Sequence, residues 1–391
     1  MGSDAGAVAF SLTNCGPFDR ALARAGLASK DPPQLFVRAF VPALVIWIPL
    51  LIFALVHPRG GAGSGVAFFD DLTTHVRFLV VVPLLVIAEA AIGRRTRLVA
   101  AQFVNADLLP AAERPRFDAL LRRAQGALQS NLAEIFIATF AVLFVVAAVR
   151  TLTSDGVTFW FELPGYAGNA RLSAAGWWYV LGSWLPPFLI LRWVWRYAVW
   201  CWLLQRLSRL DLRIVATHPD RTAGLSFVCL GHTAFSSVGF AMSCLVASAI
   251  GTRILHEGAA LASFQWPLAV FVALSIIVGI APLAVFWRPL RRAKEAGLID
   301  YGAFASLYVQ GFHKKWLSGK KGESPLAAQD DIGPLADIGA TYERVDGMRL
   351  LPITLKTALA FAFMAVAPML PLLLTVMPLN ELLKILMQAM I

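Results

Sequence analysis

Two arginines lie four residues apart within one of the most apolar stretches of the chain. Arg192 and Arg196 follow a run of Leu, Ile and Phe and are surrounded by Trp and Val. Residues four apart lie on the same side of a helix, so both side chains would project from one face. A charge near the centre of a bilayer costs about 2.5–3.5 kcal/mol on insertion scales. Each arginine therefore needs an opposite charge or water, and the pair predicts a site that attracts anions.

Polar residues in other apolar runs could complete such a site. Glu89 is the expected counter-ion, and Lys356 adds a third positive charge. A polar wall would come from the start of one run: His232, Thr233 and Ser236. With three positive charges against one negative charge, the site would carry about +2 and concentrate anions in a low dielectric. We therefore expect an inward-facing basic vestibule, the pathway of a transporter or channel for a small anion.

The same residues also allow functions without transport. Lys356 and Arg38 can extend to the bilayer surface, and Glu89 can hold helices together by pairing with an arginine. The chain would then be a membrane scaffold or assembly factor that binds a cytoplasmic protein through residues 287–352. A third alternative is an enzyme that modifies lipid or envelope components at the inner membrane surface. Its candidate acid–base groups are His218, Asp220 and Asp211.

One short motif, His218-Pro219-Asp220-Arg221, precedes an apolar run. A proline in the first turn and an acidic residue near the N-terminus are typical of a helix start. We expect Asp220 and Arg221 to pair with basic residues of the preceding helix or with residues 331–349. His218, Asp220 and Arg221 are thus predicted to form a contact at the inner membrane surface.

Motifs for nucleotide binding, hydrolysis and metal binding are absent from the sequence. It has no G-x-x-x-x-G-K-[ST], no Rossmann glycine string, no G-x-S-x-G and no H-E-x-x-H. The six histidines are scattered, whereas a zinc site needs convergent ligands. The four cysteines form no C-x-x-C pair and are expected to serve packing. We therefore predict no catalytic residue, no metal and no cofactor.

The composition indicates which elements must position these residues. The chain of 391 residues is 58% hydrophobic and only 15% charged, against about 25% charged in ordinary soluble domains. Apolar runs recur at about the 20-residue length that crosses a bilayer as a helix. This excludes a soluble enzyme and predicts an all-α, polytopic membrane protein. Its seven expected spans are residues 35–56, 74–92, 132–149, 176–203, 225–250, 267–286 and 353–377.

The distribution of basic residues predicts the orientation. Of the 34 Lys and Arg residues, 24 lie in segments on one side of the spans and 6 on the other. Because cytoplasmic loops carry the excess of Lys and Arg, we expect a cytoplasmic N-terminus and a bacterial inner-membrane location. The net charge of +10 is then explained by the cytoplasmic face, which would attract anionic lipid. Nucleic-acid binding is not expected, because no basic groove with interleaved aromatics is present.

Four regions follow from this topology. Residues 1–34 form a cytoplasmic N-terminal segment, and residues 35–286 form a six-span membrane domain with cytoplasmic helices at 94–131. Residues 287–352 form a cytoplasmic loop. Residues 353–391 hold the last span and an amphipathic C-terminal helix. Whether copies of the chain associate is left open.

A distinctive series of short motifs runs through the second half of the chain. The motifs are Gly176-Trp177-Trp178-Tyr179, Ser208-Arg209-Leu210-Asp211-Leu212-Arg213, His218-Pro219-Asp220-Arg221, Asp331-Ile332, Leu335-Ala336-Asp337, Met348-Arg349 and Pro352. Together they resemble a family of uncharacterised bacterial inner-membrane proteins, over most of the chain from about residue 175 onward. The resemblance implies a location and a topology, and it implies no activity, cofactor or functional residue.

Overall fold

The structure is a computed structural model that describes residues 10–13, 16–24, 32–56, 65–154, 158–159, 172–316 and 329–374. Helices dominate the described part of the chain. In chain order they are α1 (Pro17–Arg24), α2 (Pro32–Val56), α3 (Leu72–Asn105), α4 (Arg114–Leu128), α5 (Asn131–Ser154), α6 (Ala174–Gly182), α7 (Leu185–Leu207), α8 (Ser226–Glu257), α9 (Gln265–Ile280), α10 (Trp287–Trp316), α11 (Gln329–Asp346) and α12 (Leu355–Leu373). One short parallel pairing joins β1 (Gly65–Val66) to β2 (Thr158–Phe159).

Six helical segments among the described residues are long and apolar enough to cross a membrane. They are Gln34–Val56, Leu72–Asn105, Asn131–Arg150, Ser226–Glu257, Leu261–Lys315 and Leu355–Leu373. Their outward faces carry large apolar side chains, such as Phe136 and Leu143 on α5, as a bilayer environment requires. The expected all-α, polytopic membrane fold is confirmed.

The fourth expected span, residues 176–203, differs from the sequence prediction. The chain forms two helices there, α6 and α7, separated at Ser183 and Trp184. Pro186 and Pro187 lie in the first turn of α7, where a missing backbone N–H breaks no helical hydrogen bond. Helix α7 carries Arg192 and Arg196 together with prolines and several tryptophans, which lower its hydropathy, and it is not among the six candidate spans.

Helix α7 lies at the centre of the bundle rather than against lipid along its length. It packs against α3, α4, α5 and the 3-10 turn that follows α9. Trp200, Leu203 and Leu204 are fully buried on it, and the two arginines are buried as well. Arg192 and Arg196 therefore lie inside the protein, whereas Gln205 and Arg206 at the end of the helix are exposed.

Helices α4, α10 and α11 carry more polar residues than the other long helices. Helix α4 is amphipathic and buries Phe117, Leu121, Ala124 and Leu128, the i, i+4, i+7, i+11 spacing of one helix face. Helix α10 continues from α9 through the turn Ala281–Phe286 and packs along α11. The amphipathic C-terminal helix predicted after residue 377 lies outside the described residues.

Candidate functional site

Six charged side chains from five helices meet in the interior of the bundle. We call them the ion cluster: Asp19 on α1, Arg38 on α2, Glu89 on α3, Glu134 on α5, and Arg192 and Arg196 on α7. Their side chains are only 3–13% exposed. No other ion pair among the described residues is buried to this degree at both partners.

Glu89 lies between all three arginines. Its Oε1 accepts hydrogen bonds from Arg196 Nη1 at 2.6 Å and from Arg192 Nη1 at 3.2 Å. Its Oε2 accepts one from Arg38 Nη2 at 2.8 Å. The structure thus brings Glu89 together with Arg192 and Arg196, and it adds Arg38, which the sequence alone places at the bilayer surface.

Asp19 is the second carboxylate shared by the three arginines. Its Oδ1 accepts a hydrogen bond from Arg38 Nη2 at 2.7 Å. Its Oδ2 accepts hydrogen bonds from Arg192 Nη2 and, at 3.3 Å, from Arg196 Nη2. Charge-assisted hydrogen bonds of this kind are about twice as strong as neutral ones, so Asp19 binds α1 firmly to α2 and α7.

Glu134 completes the ion cluster from α5. Its Oε1 lies 3.4 Å from Arg192 Nε. The same carboxylate accepts the backbone N–H of Phe18, at 3.2 and 3.3 Å for its two oxygens. Glu134 therefore holds both an arginine and the beginning of α1.

The charges of the ion cluster balance. Three guanidinium groups face three carboxylates, so the arrangement is neutral when all six groups are ionised. Desolvation of buried ions is costly, and their mutual attraction offsets the cost only when the geometry satisfies them. The predicted net charge of about +2 is corrected here, because Asp19, Glu134 and Arg38 join the cluster and Lys356 does not.

The residues before α1 explain how Asp19 reaches the interior. We call residues 10–13 and 16–24 the N-terminal segment. Gly16 has φ +127°, and a Cβ there would lie 2.8 Å from Glu134 Oε2. A Cβ on Gly93 would lie 2.0 Å from Thr13 Oγ1. A side chain at position 16 would have a strained backbone conformation, and one at position 93 would force Thr13 to move, so the N-terminal segment packs directly on α3 and α5.

Aromatic rings line two sides of the ion cluster. The Phe18 ring lies 5.1 Å from Arg192 Cζ, and the Trp193 ring lies 5.2 Å from Arg196 Cζ. Phe18 also meets Phe188 edge-on at 5.2 Å between ring centres. Cation–π contacts of desolvated arginines contribute about 2 kcal/mol, so the rings support the buried charges.

Two small cavities flank the ion cluster. One, of about 10 Å³, is lined by Arg38, Glu89 and Phe18. The other, of about 20 Å³, is lined by Glu134, Arg192 and Arg196. Each is close to the minimum volume for one water molecule. In the part of the chain that the structure describes, the arginines therefore line water-sized spaces and not an open vestibule.

Lys356 and the predicted polar wall lie away from the ion cluster. Lys356 is exposed at the start of α12.

The residues of the predicted polar wall have partners outside the ion cluster. His232 is fully buried; its Nδ1 accepts a hydrogen bond from Trp200 Nε1 at 3.2 Å, and its Nε2 lies 2.8 Å from the Gly279 carbonyl oxygen. Thr233 donates to the carbonyl of Leu230. Ser236 lines a different, larger cavity.

The motif at 218–221 forms a loop that hydrogen bonds to Asp220 hold together. The Asp220 carboxylate accepts hydrogen bonds from the backbone N–H groups of Thr222, Gly224 and Ser226, and His218 Nδ1 lies 2.8 Å from it. Partial burial raises the pKa of the Asp220 carboxyl, but these hydrogen bonds outweigh that effect and hold its pKa below the ordinary range. Asp220 thus fixes the start of α8.

Arg221 is exposed, with φ +57°, and its carbonyl accepts the backbone N–H of Arg349 at 2.7 Å. The motif therefore contacts the predicted segment 331–349, through a backbone hydrogen bond instead of an ion pair.

Among the residues that the structure describes, no three His, Cys, Asp or Glu side chains converge as metal ligands would. His232 and His75 each have both ring nitrogens in hydrogen bonds to protein groups.

Three members of the ion cluster are absent from the site predicted by sequence: Asp19, Arg38 and Glu134. Arg38 and Glu134 each lie at or near the end of an apolar run, a position that usually means contact with the bilayer surface. Asp19 belongs to a short polar helix with no signal that it enters the bundle. Buried arginines need buried acidic partners in equal number. This rule would have prompted a search for Asp19 and Glu134.

No protein-family model, curated protein or solved structure matches the chain. The assignment of a function therefore rests on the geometry of the ion cluster.

Proposed function

We propose that the protein transports or conducts a small anion across a bacterial inner membrane, and that the ion cluster is the anion site in its closed state. The observation that carries this proposal is the position of Asp19. A carboxylate from outside the candidate spans is bound by three arginines that come from two different helices. A small carboxylate or inorganic anion would have the same acceptor chemistry.

The charge balance explains why the opened site would attract an anion and not a cation. If the N-terminal segment leaves, three arginines remain with Glu89 and Glu134, and the site carries a net positive charge. A buried site with one excess positive charge and a low dielectric attracts anions strongly. Intramembrane ionisable residues are, by default, candidates for substrate or ion pathways. The two water-sized cavities beside the cluster would supply the first steps of such a path.

The orientation and partners belong to the same proposal. With a cytoplasmic N-terminus, the N-terminal segment would close the site from the cytoplasmic side. The basic residues of the cytoplasmic face would bind anionic lipid.

A membrane scaffold is the second candidate, and one observation favours it. Helix α10, within the predicted partner-binding region 287–352, exposes large apolar side chains: Ile299 is 72% exposed and Leu307 is 71% exposed. If this end of the segment Leu261–Lys315 lies outside the bilayer, as the sequence predicts, exposed apolar side chains of this kind mark an interaction site. In a scaffold the ion cluster would only hold the helices together, and no flux would be measured.

Anion flux into proteoliposomes separates these two functions. Purified wild-type protein is compared with Arg192→Gln and with the control Arg213→Gln, whose side chain forms an exposed pair with Asp107. Flux that is lost in folded Arg192→Gln and retained in Arg213→Gln supports an anion path. Flux equal to that of protein-free liposomes for chloride, phosphate and acetate would favour the scaffold.

A further inference from the structure

A larger cavity adjoins the ion cluster without belonging to it. It has a volume of about 430 Å³, against about 20 Å³ beside Arg192. Its walls come from α7, α8, α9 and α12 and include Trp193, Tyr197, Gly239, Phe271, Val278 and Phe361. Trp193 separates the two regions, since its ring lines the cavity and also lies against Arg196.

The surface of this cavity is apolar. Tyr197 Oη donates to the carbonyl of Val278, and Ser275 Oγ donates to the carbonyl of Phe271 at 2.8 Å. Two of the three hydroxyl groups in the walls are therefore occupied within the protein, and the third belongs to Ser236. A stable water needs two to four polar partners, so the chemistry of the walls favours a hydrocarbon occupant over water.

The cavity opens between α7 and α9. Its lining residues Val194 on α7 and Leu274 and Val278 on α9 are each more than half exposed. The neighbouring helices α8, α9 and α12 all belong to candidate membrane spans. The surroundings of this opening are then the acyl chains of the bilayer.

We propose that this cavity binds the hydrocarbon chain of a membrane lipid, which enters from the bilayer between α7 and α9. The volume falls within the usual range of roughly 300–1,000 Å³ for ligand pockets. The chain would reach buried residues, because Phe361 and Phe235 in the walls are only 6% and 5% exposed. The proposal does not depend on anion transport.

Gly239 keeps part of the cavity open. A Cβ built on it meets no atom within 4 Å, although the residue lies inside helix α8, where glycine costs about 0.5–1 kcal/mol relative to alanine. A large side chain at this position would therefore enter the cavity without displacing backbone. Ala249 on the same helix is exposed and does not line the cavity, so Ala249→Trp is a matched control.

Photo-crosslinking tests the proposal directly. The full chain is reconstituted in nanodiscs of phosphatidylcholine that carries a diazirine on one acyl chain, irradiated, and mapped by mass spectrometry. Wild type and Ala249→Trp are expected to carry adducts on Phe361 and Phe235, and Gly239→Trp is expected to lose them. Adducts confined to outward-facing side chains in the wild type would overturn the proposal.

A variant with a smaller side chain keeps the experiment informative if Gly239→Trp misfolds. If Gly239→Trp does not elute as a single species in size-exclusion chromatography, Gly239→Leu is used, and partial loss of the Phe361 adduct is expected. Undiminished adducts at Phe361 in either folded variant would overturn the proposal.

Discussion

Asp19 and Arg192 are in direct contact in the interior of the bundle, although 173 residues separate them along the chain. Asp19 belongs to a short helix that precedes every candidate span, and Arg192 belongs to the central helix α7. The contact therefore makes the N-terminal segment a part of the membrane domain. It also means that the charge of the buried site depends on whether this segment is bound.

Removal of the Asp19 charge should destabilise the protein through the unpaired arginines. Asp19→Asn is expected to lower the free energy of unfolding by roughly 3–5 kcal/mol, the usual cost of breaking a buried pair. In the double variant Asp19→Asn/Arg192→Gln, the loss should be smaller than the sum of the single losses by about 0.5–3 kcal/mol. Equilibrium unfolding in mixed micelles measures all three. Strictly additive losses would contradict the contact.

The two glutamates of the ion cluster should differ in importance. Glu89 contacts three arginines, whereas Glu134 contacts one and is more exposed. We expect Glu89→Gln to cost roughly 3–5 kcal/mol of stability, and Glu134→Gln to cost clearly less. Thermal unfolding of the purified variants ranks them. The reverse order would show that Glu134 contributes more to the stability of the protein than its contacts indicate.

A single methyl group on α3 should displace the N-terminal segment. Gly93→Ala places a Cβ 2.0 Å from Thr13 Oγ1, whereas a Cβ on Gly126 meets no atom within 4 Å. Hydrogen exchange of residues 16–24 is expected to rise in Gly93→Ala and to stay unchanged in Gly126→Ala. Gly126→Ala should also stabilise α4 by about 0.5–1 kcal/mol. Equal protection of residues 16–24 in both variants would contradict the packing.

Asp220 should give stability that depends on pH. Its pKa is held below the ordinary value of 3.8 by backbone hydrogen bonds, so the charged form is favoured in the folded state. Its contribution is therefore complete well above pH 3.8 and is lost as the pH falls through the lower, folded-state pKa. Asp220→Asn should lower the unfolding temperature near neutral pH, and the difference from wild type should shrink in acid.

Because His218 contacts Asp220, the effect of Asp220→Asn is also measured in a His218→Gln background. If Asp220→Asn lowers the unfolding temperature by the same amount from neutral pH to strong acid, the role given to the carboxylate is contradicted.

The sequence predicts the membrane fold well because the length and apolarity of the runs are sufficient to identify membrane-spanning helices. A run such as residues 35–56 must be a helix in hydrocarbon, where no water can satisfy its backbone. At residues 176–203, Arg192, Arg196 and several tryptophans make the run less apolar, and the structure divides it into α6 and α7. The structure places that run at the centre of the protein, in contact with other helices.

Only part of the ion cluster can be predicted from the sequence. The pairing of Glu89 with the two arginines follows from the cost of buried charge. The contribution of Asp19 does not follow from that cost. It depends on Gly16, Gly93 and Phe18, which let a polar segment pack on α3 and α5. Lys356 could not be placed from sequence, since depth within a span does not specify the direction of the side chain.

The most direct test of the anion path is flux through protein whose N-terminal segment, with Asp19, has been displaced by a substitution at a residue outside the ion cluster. Anion flux into proteoliposomes is measured for wild type, Gly93→Ala and Gly93→Ala/Arg192→Gln. Gly93→Ala is expected to exceed wild type, and the additional Arg192→Gln is expected to abolish the increase. Flux at the level of protein-free liposomes in all three folded proteins, or an increase that persists without Arg192, would contradict an anion path through the ion cluster.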